Sequence, residues 1–115
     1  MLYKINRLQK EKDIERVFKK GRGFKEDFLV IKTLKNDSNK IRFGFVVSQK
    51  VSKKASIRNK IKRRLSELVR LKLKSKALAN RSDNLFIAAP GLEKKDFWEI
   101  EETINKLFQK AGLIK

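Results

Sequence analysis

From Ala55 to about Leu78 one apolar stripe runs along an otherwise basic segment, and that pairing constrains the fold more than any other feature. Ile57, Ile61, Leu65 and Leu68 step by four, four and three residues, the spacing that aligns side chains on one side of a helix. Such a helix must lay its stripe on apolar structure and leave its other sides to solvent or a partner. At about 100° per residue, Ser66, Asn59, Arg70, Arg63, Glu67 and Lys60 project opposite the stripe, with Arg58 and Lys62 at one margin. Arg64 projects close to the stripe's centre, where a guanidinium must snorkel to water or meet an anion.

The charge around this stripe is lopsided. Lys50, Lys53, Lys54, Arg58, Lys60, Lys62, Arg63 and Arg64 make eight basic residues with no acid among them, and Glu67 is the only acid between residues 38 and 82. From Leu92 onward, five acids balance five lysines, so the positive charge is concentrated. Solvated helices usually interleave both signs. Over the whole chain, 31 Lys and Arg against 13 Asp and Glu leave a formal charge of +18, a self-repulsion that a polyanion relieves. Nucleic acid is the first candidate partner and an anionic membrane surface the second. A membrane-surface helix carries Trp or Phe beside its basic residues, and this one has neither. Arginine brings two-pronged hydrogen bonding to phosphate, lysine a point charge. Asn59 can add hydrogen bonds to a phosphate, a 2′-hydroxyl or a hydrated metal ion.

The chain has no Cys and no His. That removes disulfides, thiolate nucleophiles, the usual zinc ligands and the imidazole base. With no clustered acids in the basic segment, neither a general base nor a metal cage can be assembled there. No apolar run approaches the roughly 20 residues of a membrane span, and Met1 to Lys12 lacks the apolar centre of a signal peptide. A soluble, cytoplasmic protein is expected.

The 115 residues suit one domain, 1–115, with eight Phe to furnish its core. The pattern predicts a helix over Lys12–Lys20, closed by Gly21, and strands over Phe28–Leu34 and Ile41–Ser48. The turn cluster Asn36-Asp37-Ser38-Asn39 between those strands suggests a hairpin. Gly23 to Lys25 can add a short strand before it. After the long helix, Asn80-Arg81-Ser82-Asp83 acts as a break, Leu85–Ala89 reads as a strand stopped by Pro90-Gly91, and Glu93–Ala111 as a helix buried through Phe97, Ile100, Ile104, Leu107 and Phe108. The expected class is α+β, with helices packed on a small sheet.

Phe43-Gly44-Phe45-Val46-Val47-Ser48-Gln49-Lys50, followed after six residues by Ile57-Arg58-Asn59-Lys60-Ile61-Lys62-Arg63-Arg64-Leu65, resembles the signature of the bacterial ribonuclease P protein subunit. That family pairs a Gly-hydrophobic-Ser-Lys-Lys strand end with an Arg-Asn-Arg-x-x-Lys-Arg helix. Asp13 to Gly21 is similar to its first helix and closing glycine, and Asp83 to Ala89 to its later strand, so the likeness spans nearly the whole chain. It implies a ribosomal-protein-S5-like sandwich of about four strands and three helices in the order αβββαβα. It also implies a function: partner of a catalytic RNA that removes the 5′ leader of precursor tRNA, one protein per RNA, with Mg²⁺ held by the RNA and no catalytic residue in the protein. By that resemblance Lys50, Lys53, Lys54, Arg58, Asn59, Lys60, Lys62, Arg63 and Arg64 face the catalytic RNA. Ile14, Phe18 and Lys32 belong to a cleft for the single-stranded leader, with Phe18 as the stacking aromatic. This chain departs from the pattern at Lys60 and Ser66, where arginine is usual or frequent, and at Gln49, where lysine is common. Ile14 and Lys32 stand where aromatics can occur. A ribosomal or general RNA-binding protein, or a DNA-compacting one, shares the charge but not the strand-to-helix signature.

Overall fold

The computed structural model describes residues 2–37, 40–74 and 81–113. Its elements are α1 (Glu11–Lys20), β1 (Arg22–Glu26), β2 (Leu29–Lys35), β3 (Arg42–Val46), α2 (Ala55–Lys74), β4 (Ser82–Ala88) and α3 (Phe97–Lys110), with 3-10 turns at Lys4–Asn6 and Leu92–Lys94. This is the α+β class and the αβββαβα order expected from the sequence. The four strands form one sheet in the order β1-β2-β4-β3. The β1–β2 and β2–β4 pairs are antiparallel, and β3 runs parallel to β4.

The hairpin expected between Phe28–Leu34 and Ile41–Ser48 does not form, because β4 lies between those strands. The hairpin in the sheet is β1–β2 instead, turning through Asp27 at φ 48°. The reason is in β4. Leu85 points to one face and Phe86 and Ala88 to the other, all three buried, and a central position covers such a strand on both sides. The turn-rich stretch after β2 therefore carries the chain to the far edge; its Ser38 and Asn39 lie outside the described residues. The long crossover α2 then makes the parallel β3–β4 pair possible.

Two boundaries also shift. Ser82 and Asp83, expected as a helix break, open β4, while residues 75–78 of the expected helix and Asn80 lie outside the described residues. The last helix starts at Phe97, not Glu93, because Asp96 caps it: its carboxylate accepts from the Glu99 N–H at 2.9 Å.

The larger core lies between one sheet face and the pair α2 and α3. Leu29, Ile31, Phe43 and Phe86 meet Ile61, Leu65 and Leu68 of α2 and Ile100, Ile104, Leu107 and Phe108 of α3. The Phe86 ring stands 6.2 Å from Phe43 and 5.8 Å from Phe108, centre to centre. Each such side chain contributes about 1.5–3 kcal/mol on burial. On the opposite face α1 covers a smaller cluster of Leu8, Val17 and Leu85. Gly21 lets α1 end tightly against the sheet: a Cβ there would sit 2.4 Å from the Val17 carbonyl oxygen. Its φ of −70° is ordinary, so closeness, not a left-handed backbone, requires the glycine.

Asp83 fastens α1 to the sheet. It has no solvent exposure, yet its carboxylate is saturated. Arg42 donates to both oxygens at 2.7 Å, Arg16 of α1 to Oδ2 at 2.9 Å and Asn36 to Oδ1 at 2.8 Å. Burial alone pushes the Asp83 carboxyl up; the Arg42 and Asn36 hydrogen bonds and the Arg42 and Arg16 charges outweigh it and hold it below the ordinary carboxylate value. A depressed folded-state pKa gives stability that is present above the unfolded value, about 3.9, and lost as pH falls below it. Asp83→Ala leaves Arg16 and Arg42 with only the longer contacts to Asp13, at 3.9 and 3.6 Å, and should cost about 1.5–3 kcal/mol in urea unfolding at pH 7. The gap to wild type should narrow below about pH 4; a gap that stays constant to pH 3 contradicts the assignment.

Candidate nucleic-acid interface

The stripe of α2 is buried as its spacing demands, but its centre is displaced. Ile61, Leu65 and Leu68 are buried, Val69 and Ser66 with them, and Ile57 is half-buried. Ser66, expected on the outer side, lies under the N-terminal segment, where its Oγ accepts from the Leu2 N–H at 3.1 Å. That segment joins the edge of β3 through the Leu8 N–H, which donates to the Phe43 carbonyl at 2.8 Å. Nothing in the polar run Met1 to Lys12 announced this. The displacement moves Arg64 off the stripe's centre to its margin, where it is half-buried.

The nine residues expected to face RNA divide by what holds them. Lys50, Lys53, Lys54, Asn59, Lys60, Lys62 and Arg63 are exposed. Arg58 is half-buried and partly committed, since Nη1 donates to the Ser52 and Lys53 carbonyls at 2.9 and 3.0 Å. It thereby pins the Lys50–Lys54 loop against the start of α2. Among the described residues no carboxylate pairs with any of the eight cations. Most of the acids are engaged with other groups. Asp13 and Asp83 hold Arg16 and Arg42, Glu15 holds Lys19, Glu26 holds Lys110 and Glu67 holds Arg70. The Arg70 hydrogen bonds are the main reason Glu67 is held at about 2, so that one acid in the segment is answered by a cation three residues along. Lys53, Lys54 and Arg58 also crowd the positive end of the α2 dipole, with no acid in the first turn, an arrangement that an external anion relieves.

The second site lies on the α1 face of the sheet. Register puts Lys25, Val30, Ile87 and Val46 in one cross-strand row and Gly23, Lys32, Leu85 and Gly44 in the next. Helix α1 packs over Leu85 and Asp83, which leaves Val30, Ile87 and Val46 half-exposed as an apolar floor. Phe18 stands over its border, 51% exposed. Lys32 reaches from β2 to hold it: Nζ lies 4.3 Å from the ring centre and donates to the Phe18 carbonyl at 2.7 Å. Ile14 is half-buried against Leu8, Val17 and Leu85, so it supports the cleft wall. The floor was missed in the sequence, although the alternation of strand residues held its signal. At its β3 end the row runs through Val46 into the Lys50–Lys54 loop, so the two surfaces adjoin along the chain.

A helix whose N-terminal half presents cations without carboxylate partners, beside an open sheet face carrying an exposed aromatic, defines a small α+β RNA-binding protein. The comparisons narrow that class. The family model described as Ribonuclease P matches residues 2–112. The chain is 36% identical over 110 residues to the ribonuclease P protein component of Clostridium botulinum, covering 96% of this chain and 97% of that one. Its structure is similar to that of the Staphylococcus aureus RNase P protein, with a TM-score of 0.84 and 26% identity over 97% of this chain and 100% of that one. The Thermotoga maritima RNase P protein is similar with a TM-score of 0.78 and 28% identity, over 90% of this chain and 96% of that one. The chain belongs to the ribonuclease P protein family.

The hydrogen bonds separate two arginines that look alike in the sequence. Arg63→Ala should leave urea stability within about 0.5 kcal/mol of wild type. Arg58→Ala should lower it by about 1 kcal/mol through its lost carbonyl contacts. Equal costs for both would show that Arg58 does not pin the loop.

Proposed function

We propose that the chain, as the protein subunit of ribonuclease P, docks a catalytic RNA on the basic ridge and holds the 5′ leader of precursor tRNA in the cleft beside α1. The observation that carries the reading is the ridge itself: eight cations over Lys50–Arg64, left without carboxylate partners among the described residues while Asp13, Glu15, Glu26, Glu67, Asp83, Glu99 and Glu102 pair with other cations. Lys50, Lys53, Lys54, Lys60, Lys62, Arg63 and Arg64 meet backbone phosphates, Asn59 adds hydrogen bonds, and Arg58 shapes the loop while lending its remaining donors. In the cleft, Phe18 stacks a leader base, a contact that tolerates any sequence. Lys32 fixes the ring and brings charge to the leader phosphates, and Ile14 backs the wall.

The bond chemistry is assigned to the RNA. What supports this is the donor set: the chain has neither His nor Cys, and Asp83 and Asp13 are bound to arginines. No group of three or more His, Cys, Asp or Glu among the described residues could hold a metal ion, so Mg²⁺ belongs to the RNA in this reading. The protein contributes by gripping the leader and lowering phosphate repulsion, which raises productive Mg²⁺ occupancy. One protein serves each RNA, in the cytoplasm. No described helix is long and apolar enough to cross a membrane.

The test is reconstitution with a bacterial ribonuclease P RNA. The protein should stimulate removal of the leader and lower the Mg²⁺ that the RNA requires. Phe18→Ala should weaken binding of precursor tRNA by about 5- to 150-fold and leave mature tRNA nearly unchanged, as loss of one stacked base would. Binding to the RNA with no effect on cleavage or on Mg²⁺ demand would reduce the protein to a general RNA binder. Cleavage by the protein without RNA would move the active site into it.

A further inference from the structure

The single tryptophan of the chain, Trp98, is 74% exposed. It lies in the first turn of α3 beside Phe97, itself 37% exposed, with the two rings edge to face and their centres 5.5 Å apart. Neither ring belongs to the buried side of α3, which is Ile100, Thr103, Ile104, Leu107 and Phe108. Phe97 lines a hollow of about 400 Å³ at the mouth between α2 and α3, together with Lys60, Arg63, Arg64 and Glu67. Glu67 is held by Arg70, whereas the three cations of the hollow have no ion-pair partner among the described residues. On α3, Asp96 caps the helix and Glu99 pairs with Lys95 at 3.6 Å, and Glu102, one turn along from Trp98, pairs with Lys106 at 3.5 Å. An aromatic ring bordering unpaired cations, with a second exposed ring packed against it, supplies the components of a single-strand site, in which bases stack and phosphates are neutralised.

We propose that Phe97 and Trp98 form a second stacking platform, which takes an unpaired base of the catalytic RNA while the flanking phosphates rest on Lys60, Arg63 and Arg64. This rests on the function proposed above. The platform is separate from the leader cleft, because Phe18 stands on the opposite side of the sheet from α2 and α3. Charge selects the occupant. A second copy of the chain would bring another +18 and a second trio of cations against the first. A continuous duplex offers phosphates but no free base face to the rings.

Trp98 reports on its own occupancy, since no other tryptophan contributes to emission. Titration with a bacterial ribonuclease P RNA should quench its fluorescence with the same midpoint as complex formation. Trp98→Ala, at an exposed position, should keep the fold and weaken RNA binding by about 5- to 150-fold, with Trp98→Phe recovering most of the loss. Because no phosphate contact is removed, the salt slope of Trp98→Ala should equal that of wild type, whereas Arg63→Ala should make it shallower by about one. The proposal is overturned if wild-type protein binds the RNA while Trp98 emission is unchanged and Trp98→Ala binds equally well. It is also overturned if emission is quenched by raising protein concentration without RNA, which would mean that a second copy covers the rings. Failure of the wild-type protein to bind the RNA would instead defeat the underlying function.

Discussion

Asp83 buries a full carboxylate at the start of the central strand and surrounds it with Arg42, Arg16 and Asn36. An isolated charge could not be held there; with its partners in place it joins α1, the β2–β3 connection, β3 and β4 at one point. Much else follows from that tie. It sets α1 over the Leu85 row of the sheet, so the Val30, Ile87 and Val46 row stays open. It also fixes the helix that presents Phe18 at the border of that opening. Lys32 then adds a local hold on the same ring and on the carbonyl behind it.

The same economy of carboxylates shapes the other surface. A chain with 31 cations and 13 acids cannot neutralise itself, and where it leaves charge uncompensated is a structural choice. Acids go to the interior tie, to pairs along α1 and α3 and to the β1–α3 contact. None goes to the cations of Lys50–Arg64 among the described residues. The free protein bears the repulsion, and it is concentrated on a ridge where a polyanion would relieve it. Its hydrophobic anchors, Ile61, Leu65 and Leu68, keep the helix from turning those charges inward.

Much of this was legible in the sequence. The long helix, its basic side, the order of elements and the family signature all rest on local spacing or on a contiguous motif. What the sequence concealed was long-range. The partner of β2 depended on β4, 47 to 59 residues further on (Lys35 faces Ser82 and Leu29 faces Ala88), and a turn-rich connection looked like a hairpin because turns are local and sheet order is not. Asp83 read as a helix breaker because its arginines lie 67 and 41 residues away. Ser66 read as an outer residue because its cover comes from the N-terminal segment. Phe18 and Lys32 were named from family likeness; their mutual hold, and the apolar floor beside them, needed the register of four strands.

The central claim is that the basic ridge of α2, not the C-terminal end of α3, lies against the RNA. The chain has no cysteine, so one introduced thiol gives a unique attachment point for a tethered hydroxyl-radical source. Lys62→Cys on the ridge and Gln109→Cys on the exposed end of α3 make the comparison in a reconstituted complex. Strand scission of the catalytic RNA clustered at a few sites from position 62, and absent from position 109, is the predicted result. Scission from both positions alike, or from 109 alone, would contradict it.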